Sequence, residues 1–443
     1  MARIAPFRGT VYNQKKIRDV SKVIAPPYDV ITPEERERLT KRSPYNIVHL
    51  ILNQDPEPYQ SAARTFEQWQ SEEILVRDDT PAIYFLSHRF TLKEKAIERL
   101  GFIALMRLED FSTGSIHPHE NTMAGPKEDR TRLMMNCHAN LSQIFGLYSQ
   151  PKGTLTQLLS EHVLGVPPVI EAGDRERGSC RLWRITDGEM IRLVQCQLED
   201  GPLLIADGHH RYEAAMNYRR NLSAQRGQGS GREAFNYVMM YFANMAESGL
   251  VILPTHRLVR DFPPIPFQKL EEDLLRYFYL EPYPKTREGQ SWFLRALKSG
   301  GKKQRLLGAS FKGDPRYLIF RLKNKRILQR LAKDMSAPVR ELDVTVLHHL
   351  ILEHILGLSP EEQTKEGAIR YLENDKEALD GVDKGENRAA FILNSPRSED
   401  ILTVALSGEK MPQKSTYFFP KLFTGLVINK FDPNEEIQTE VNQ

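Results

Sequence analysis

The segment 203–218, LLIADGHHRYEAAMNY, constrains the fold more than any other stretch of this chain. The apolar run 203–206 reads as a strand that ends at Asp207. Gly208 permits a tight turn, and a helix is expected to begin near Arg211 and run to about 220. Such a turn points backbone N–H groups and the positive end of a helix at whatever lies above it, which suits a phosphate. His209, His210 and Arg211 add donors and charge. Asp207 is the odd member, because a carboxylate at a phosphate site usually holds Mg²⁺ or accepts a hydroxyl proton. The bland alternative has Asp207 capping the helix and the histidines filling a wet groove. Five polar or special residues at a strand end make poor core material, and this favours function.

Two further segments carry chemistry. The first is 116–130, IHPHENTMAGPKEDR, which gathers His117, His119, Glu120, Lys127 and Arg130. A carboxylate beside histidines can serve as a general base or a metal ligand. Lys127 and Arg130, three apart, can share one helix face and bind an anion. A solvated loop has the same composition. The second is 408–416, GEKMPQKST, where Lys414, Ser415 and Thr416 supply a point charge and two hydroxyls. The GxxxxGK framework of a Walker A loop is absent, and taken alone the segment reads better as a plain strand-entry turn. His348, His349 and His354 are read as helix-surface histidines without an HExxH frame, while in Thr255-His256-Arg257 a satisfied loop histidine and a site residue read equally well.

Composition bounds the rest. The chain has 443 residues, 40% apolar and 27% charged, enough to bury sizeable cores in about three domains. A net charge of +3 excludes a dominant polybasic surface and argues against a nucleic-acid partner. Cys137, Cys180 and Cys196 are isolated, so neither a disulfide framework nor a cysteine zinc site is expected. No signal core and no membrane-spanning run stand out, and the expectation is a soluble cytoplasmic protein.

Periodicity predicts an α+β chain. Thr32-Pro33-Glu34-Glu35 reads as a capped helix start. Ala62, Ala63, Phe66 and Trp69 mark a helix over 59–75, and IAPPYDV at 24–30 a fixed turn. Strands are expected at 3–8, 82–86, 101–105, 237–242, 250–253, 389–393, 402–406 and 417–419. Residues 116–130 are expected as loop, with a helix following at 131–139. An amphipathic helix is expected over 342–358, and a flexible linker at 226–231.

Taken together, IAPPYDV, PHENT with KEDR, ADGHHRYEAA, LPTHR and MPQKSTYFFPKL occur in an order that resembles a bacterial and archaeal family catalogued as a domain of unknown function. That family in turn resembles the ParB/sulfiredoxin-like superfamily and its free-serine kinases, which move phosphate from a nucleotide to free L-serine. The resemblance implies a ParB/sulfiredoxin-like core over 97–260, an N-terminal α/β region over 1–96, and a C-terminal α/β region over 261–443 that lends segment 408–420 to the site. It implies Glu120 as catalytic base and Asp207 beside the reacting groups. It further implies Gly208, His209, His210, Arg211, Lys414, Ser415 and Thr416 at the nucleotide and phosphates, with weaker anion roles for His119, Lys127 and Arg130. ATP or ADP with Mg²⁺ would be the cofactors, and a small hydroxyl compound the substrate. The kinases are shorter, and the first ~95 residues here have no counterpart in them. Two alternatives remain beside the kinase: a metal-dependent phosphohydrolase of phosphoserine-like esters, and a non-catalytic nucleotide-binding regulator. Nucleotide dependence separates the first from a kinase.

Overall fold

A two-residue turn at Lys93-Glu94 joins strands Ile83–Leu92 and Lys95–Arg107. Both turn residues have positive φ, 50° and 66°, the turn geometry whose twist matches paired strands. This hairpin is the spine of a nine-stranded sheet in a computed structural model that describes residues 3–120, 122, 124–199, 201–226, 229–301, 304–365, 367–412 and 414–439. The fold is mixed α and β with several sheets. It divides into two units, one of residues 1–118, 122–251 and 420–443, the other of 119–121 and 252–419.

In the first unit the strands lie in the order Ile116–Pro118, Leu203–Asp207, Ile144–Tyr148, Tyr237–Asn244, Lys95–Arg107, Ile83–Leu92, Gly178–Ile185 and Ile170–Asp174. Ile4–Ala5 also pairs with Lys95–Arg107. Leu203–Asp207 runs parallel to Ile116–Pro118, and Tyr237–Asn244 parallel to Ile144–Tyr148. Every residue of Tyr237–Asn244 is buried, as expected for a strand covered on both faces. Helix Pro58–Ser71 buries Ala62, Phe66 and Trp69 at the predicted spacing. Helix Pro33–Arg42 starts as predicted, with the Thr32 hydroxyl accepting from Glu35 N at 3.2 Å.

The second unit holds a six-stranded antiparallel sheet: Phe278–Pro284, Arg316–Leu322, Leu307–Phe311, Ala389–Ile392, His256–Val259 and Ile369–Leu372. Helices Arg287–Gly301 and Asp375–Asp383 cover it through Phe293, Leu297, Leu379 and Val382.

Three expectations are corrected. The PKEDR stretch is helical, within Ala124–Cys137, rather than loop. Residues 402–406 are not a strand but the end of helix Ser398–Leu406. Glu399 and Asp400 favour that helix's first turn, and the buried Ile401, Val404 and Ala405 fall at helical spacing. The helix expected over 342–358 is present, as a short α-helix, Asp343–Thr345, continued by a π-helix, Val346–Ile355. His348 on it is partly buried rather than on the surface, its Nδ1 2.6 Å from Gln363 Oε1. Asn121, Met123, Gln413 and residues 227–228 of the expected linker lie outside the described residues. No described helix is long and apolar enough to cross a membrane.

Candidate functional site

The first group of predicted residues stands at the end of strand Leu203–Asp207. Against Ile144–Tyr148 the register slips: Ile205 faces Gly146, but Asp207 faces Phe145. Ala206 is therefore an extra residue, and a bulge of this kind re-aims the side chain that follows it. Gly208 then takes φ +94°, and a Cβ there would meet the Arg211 guanidinium at 2.9 Å. Glycine is thus required both by the backbone and by the close approach. Helix His209–Arg226 begins at once, two residues earlier than predicted, and buries His209 and Arg211.

Asp207 is held by two cations. Arg211 Nη2 donates to Oδ2 at 2.5 Å, and Lys421 Nζ donates to Oδ1. The three side chains are only 10–13% exposed. Burial alone would raise the Asp207 carboxyl, but Lys421 and Arg211 outweigh it and hold the group well below the usual carboxylate range. Arg211 Nη1 also donates to Gln143 O. Arg99 is fully buried, donates to Pro420 O at 2.9 Å and so fixes the residue before Lys421. Its guanidinium lies 3.2 Å from His88 Nδ1. Burial and the Arg99 charge push His88 down to about 3, leaving it a neutral acceptor.

Tyr28, from the PPYDV segment, belongs to this group. Burial and Asp29 push its phenol up to about 12, while Arg211 and Arg130 pull against them. Arg130 stacks over the Tyr28 ring at 4.1 Å, donates to Ile51 O at 3.0 Å, and pairs with Asp129. Lys127 is drawn instead to Glu213, 3.2 Å away, which also accepts from the Thr122 hydroxyl at 2.8 Å. Lys127 and Arg130 thus do not share one anion between them. His210 is half-buried on the first helical turn. His117 Nε2 lies 3.0 Å from Gly114 O.

The second group lies in the other unit. Glu120 bridges to Met411 as an isolated β-pair, and Met411 N donates to His119 O at 2.7 Å. Glu120 Oε1 accepts from Ser415 N at 3.2 Å and from the Thr416 hydroxyl at 3.4 Å. His119 is fully buried, with Nε2 2.8 Å from Thr416 Oγ1 and 3.7 Å from Glu120 Oε1. Lys414 adopts φ +55°, a left-handed conformation uncommon outside glycine. Its carbonyl accepts from Arg257 Nη2 at 3.1 Å. Ser415 and Thr416, expected over a nucleotide, thus hydrogen-bond Glu120 and His119.

Arg257 is buried under the Tyr371 ring, 5.3 Å from its centroid. Burial pulls it down to about 10, and the Tyr371 and Glu120 charges oppose that pull. In the same motif His256 Nδ1 accepts from Leu393 N at 3.2 Å, a structural contact. The residues that sequence reasoning missed are Lys421, Tyr28, Arg99 and Arg257. Three of them sit inside motifs already quoted, PPYDV, LPTHR and STYFFPKL, which is the one signal that pointed to them.

The described residues hold no group of three or more His, Cys, Asp or Glu that could bind a metal ion. Both oxygens of Asp207 are already held by cations, so this carboxylate does not fit a Mg²⁺ ligand. The first group is a desolvated positive cluster at a helix N-terminus, suited to phosphate. The second is a carboxylate oriented by hydrogen bonds, suited to accepting a proton.

A family model described as a protein of unknown function (DUF1015) matches residues 4–345. No curated protein matches the chain. Among solved structures, a conserved hypothetical protein from Pyrococcus furiosus is 12% identical with a TM-score of 0.31, over 76% of this chain and 95% of its own. A free serine kinase in complex with AMP is 12% identical with a TM-score of 0.32, over 76% and 92%. SbnI with a C-terminal truncation, from Staphylococcus aureus, is 10% identical with a TM-score of 0.34, over 73% and 85%.

Proposed function

For a chain that belongs to the DUF1015 family, which assigns no activity, we propose nucleotide-dependent phosphoryl transfer to a small hydroxyl compound, free L-serine first among those to test. The observation that carries this reading is the Asp207–Gly208–Arg211 turn with Lys421: two cations on one buried carboxylate at the start of an 18-residue helix. The sheet that bears this turn is assigned to a ParB/sulfiredoxin-like core.

The turn's N–H groups, with His210 at its edge, bind the phosphates of ATP or ADP. Asp207 keeps Lys421 and Arg211 in place, so the positive field does not have to be assembled during the reaction. Glu120, oriented by Ser415 N and the Thr416 hydroxyl, takes the proton of the acceptor hydroxyl. That oxygen attacks the terminal phosphorus. The bond from phosphorus to the bridging oxygen breaks, and the leaving nucleotide keeps the electron pair. Little covalent apparatus is needed, since such transfer rests on positioning and electrostatics. Among the described residues no group of three or more His, Cys, Asp or Glu could hold a metal ion, and no step is assigned to magnesium.

Incubation of the full chain with ATP or ADP and L-serine, followed by phosphorus NMR, tests the reading. The expected result is O-phosphoserine in step with nucleotide consumption. Absence of nucleotide binding in calorimetry would overturn it. Release of inorganic phosphate from phosphoserine without nucleotide would replace it with a hydrolase.

A further inference from the structure

The second unit contains a cavity of about 400 Å³ that the proposed reaction does not use. Its floor is apolar, formed by Phe278, Phe320, Leu328 and Val346, with the two phenyl rings 5.4 Å apart. Asp343, at the start of the turn that leads into the π-helix, lines it as well. Asp343 Oδ1 is buried and has no hydrogen-bond partner among the described residues. The same holds for Asp400 Oδ2, whose other oxygen accepts from Arg305 at 3.0 Å.

A buried carboxylate oxygen without a donor is costly. Burial pushes the Asp343 carboxyl up to about 7, with Arg305 opposing and Asp400 adding to the rise. What this oxygen lacks is a donor, best a cationic one. The wall also carries Arg321, Lys325 and Arg397. Lys325 is held by Glu341 at 2.7 Å, and the Arg321 guanidinium lies over the Tyr279 ring at 4.5 Å, on the sheet face opposite Phe278 and Phe320, so it does not serve this cavity. A carboxylate wanting a donor, a guanidinium on the same wall and an apolar floor are together the complement of a zwitterion with an apolar body. The volume falls in the lower part of the range for small-molecule pockets.

We propose that this cavity binds a free α-amino acid with an apolar side chain, its ammonium on Asp343, its carboxylate toward Arg397, and its side chain on Phe278 and Phe320. The site stands apart from the phosphotransfer reading, and either holds if the other fails. The ammonium needs Asp343 ionised, so affinity rises as pH passes from 6 to 8. The charged groups facing Asp343 are Arg305, Arg397 and Asp400, with Lys325 and Glu341 also on the wall.

Calorimetry on the full chain with L-phenylalanine and L-leucine tests this. 2-Phenylethylamine lacks the carboxylate and 3-phenylpropanoate lacks the amine, so the pair reads each end separately. Saturable one-site binding of at least one amino acid is expected, with both truncated probes at least tenfold weaker. Asp343→Asn should weaken binding at least tenfold and flatten the pH dependence. Should that variant lose its wild-type circular dichroism, Arg397→Ala at the exposed wall takes its place, with the same tenfold loss expected. No binding of either amino acid overturns the proposal. So does wild-type affinity in the folded variant, or equal affinity for 3-phenylpropanoate.

Discussion

Asp207 and Glu120 are both carboxylates in polar clusters, yet their surroundings differ in kind. Asp207 is neutralised by full charges, Lys421 and Arg211, in a place with little water. Glu120 is held by a backbone N–H and a hydroxyl, with Arg257 acting on it through its charge. A carboxylate locked between two cations is a poor base, because giving it a proton breaks both pairs. A carboxylate held by neutral donors keeps its orientation and can still accept a proton. The proposed reaction accordingly gives structure and field to Asp207 and proton transfer to Glu120, and each variant below attacks one side of that proposal.

Glu120→Gln carries the largest expected effect. The amide keeps the size and can still accept from Ser415 N, but it cannot take a proton. Turnover should fall by about 10²–10⁴, the usual worth of a positioned base, while nucleotide affinity stays within about twofold. Steady-state assays with calorimetry on the same variant check both. Unchanged turnover would end the assignment of Glu120 as base. Lost nucleotide affinity would move Glu120 to the donor side.

Lys421→Met comes next. It leaves Asp207 with one cation in a buried setting, and breaking such a pair typically costs about 3–5 kcal/mol. Urea unfolding should show the loss, and in the double variant Lys421→Met with Asp207→Asn the two losses should not add, since either single change already removes the Lys421–Asp207 contact. The pH dependence follows from the sign of the shift. The folded carboxyl lies below its unfolded value, so its stabilisation is present above about pH 4 and is lost as pH falls through the folded value. Asp207→Asn should therefore flatten the acid side of the stability profile. An additive double variant would show that Lys421 and Asp207 do not act as a pair.

How legible these clusters were in the sequence follows the same division between local and distant. The Thr32 cap and the helix with Phe66 and Trp69 were visible because their determinants lie within one or two turns. The strand, glycine turn and helix at 203–226 were visible for the same reason. Residues 402–406 misled because Thr403 and Val404 are β-branched, while the helix owes its existence to an acidic first turn and to burial of Ile401 and Val404. The partners of Asp207 were invisible in part. Arg211 is four residues away, but Lys421 is 214 away, and nothing local encodes that pairing. The bulge at Ala206 depends on Phe145 and Gly146 of another strand. Arg257 was set aside as loop because a buried arginine is recognisable only from what surrounds it, here Tyr371 and the Lys414 carbonyl.

The smallest expected effect, at Lys414, separates a side-chain role from a backbone one. Its φ of +55° costs a non-glycine residue about 1 kcal/mol, and in return its carbonyl meets Arg257 while Ser415 N meets Glu120. Lys414→Ala removes the charge and keeps the strain. Lys414→Gly removes both. The glycine variant should be the more stable of the two by about 0.5–1 kcal/mol in urea unfolding, the strain relieved being partly offset by glycine's freedom in the unfolded chain. If the ammonium touches nucleotide phosphate, both variants should lose several-fold in nucleotide affinity, and equally. The loss should shrink as salt is added, because this side chain is exposed and its field is screened. Wild-type affinity in both variants would leave Lys414 as a turn residue alone. The phosphate field would then rest on the helix start at His209 and its cations, with segment 414–416 serving only to orient Glu120.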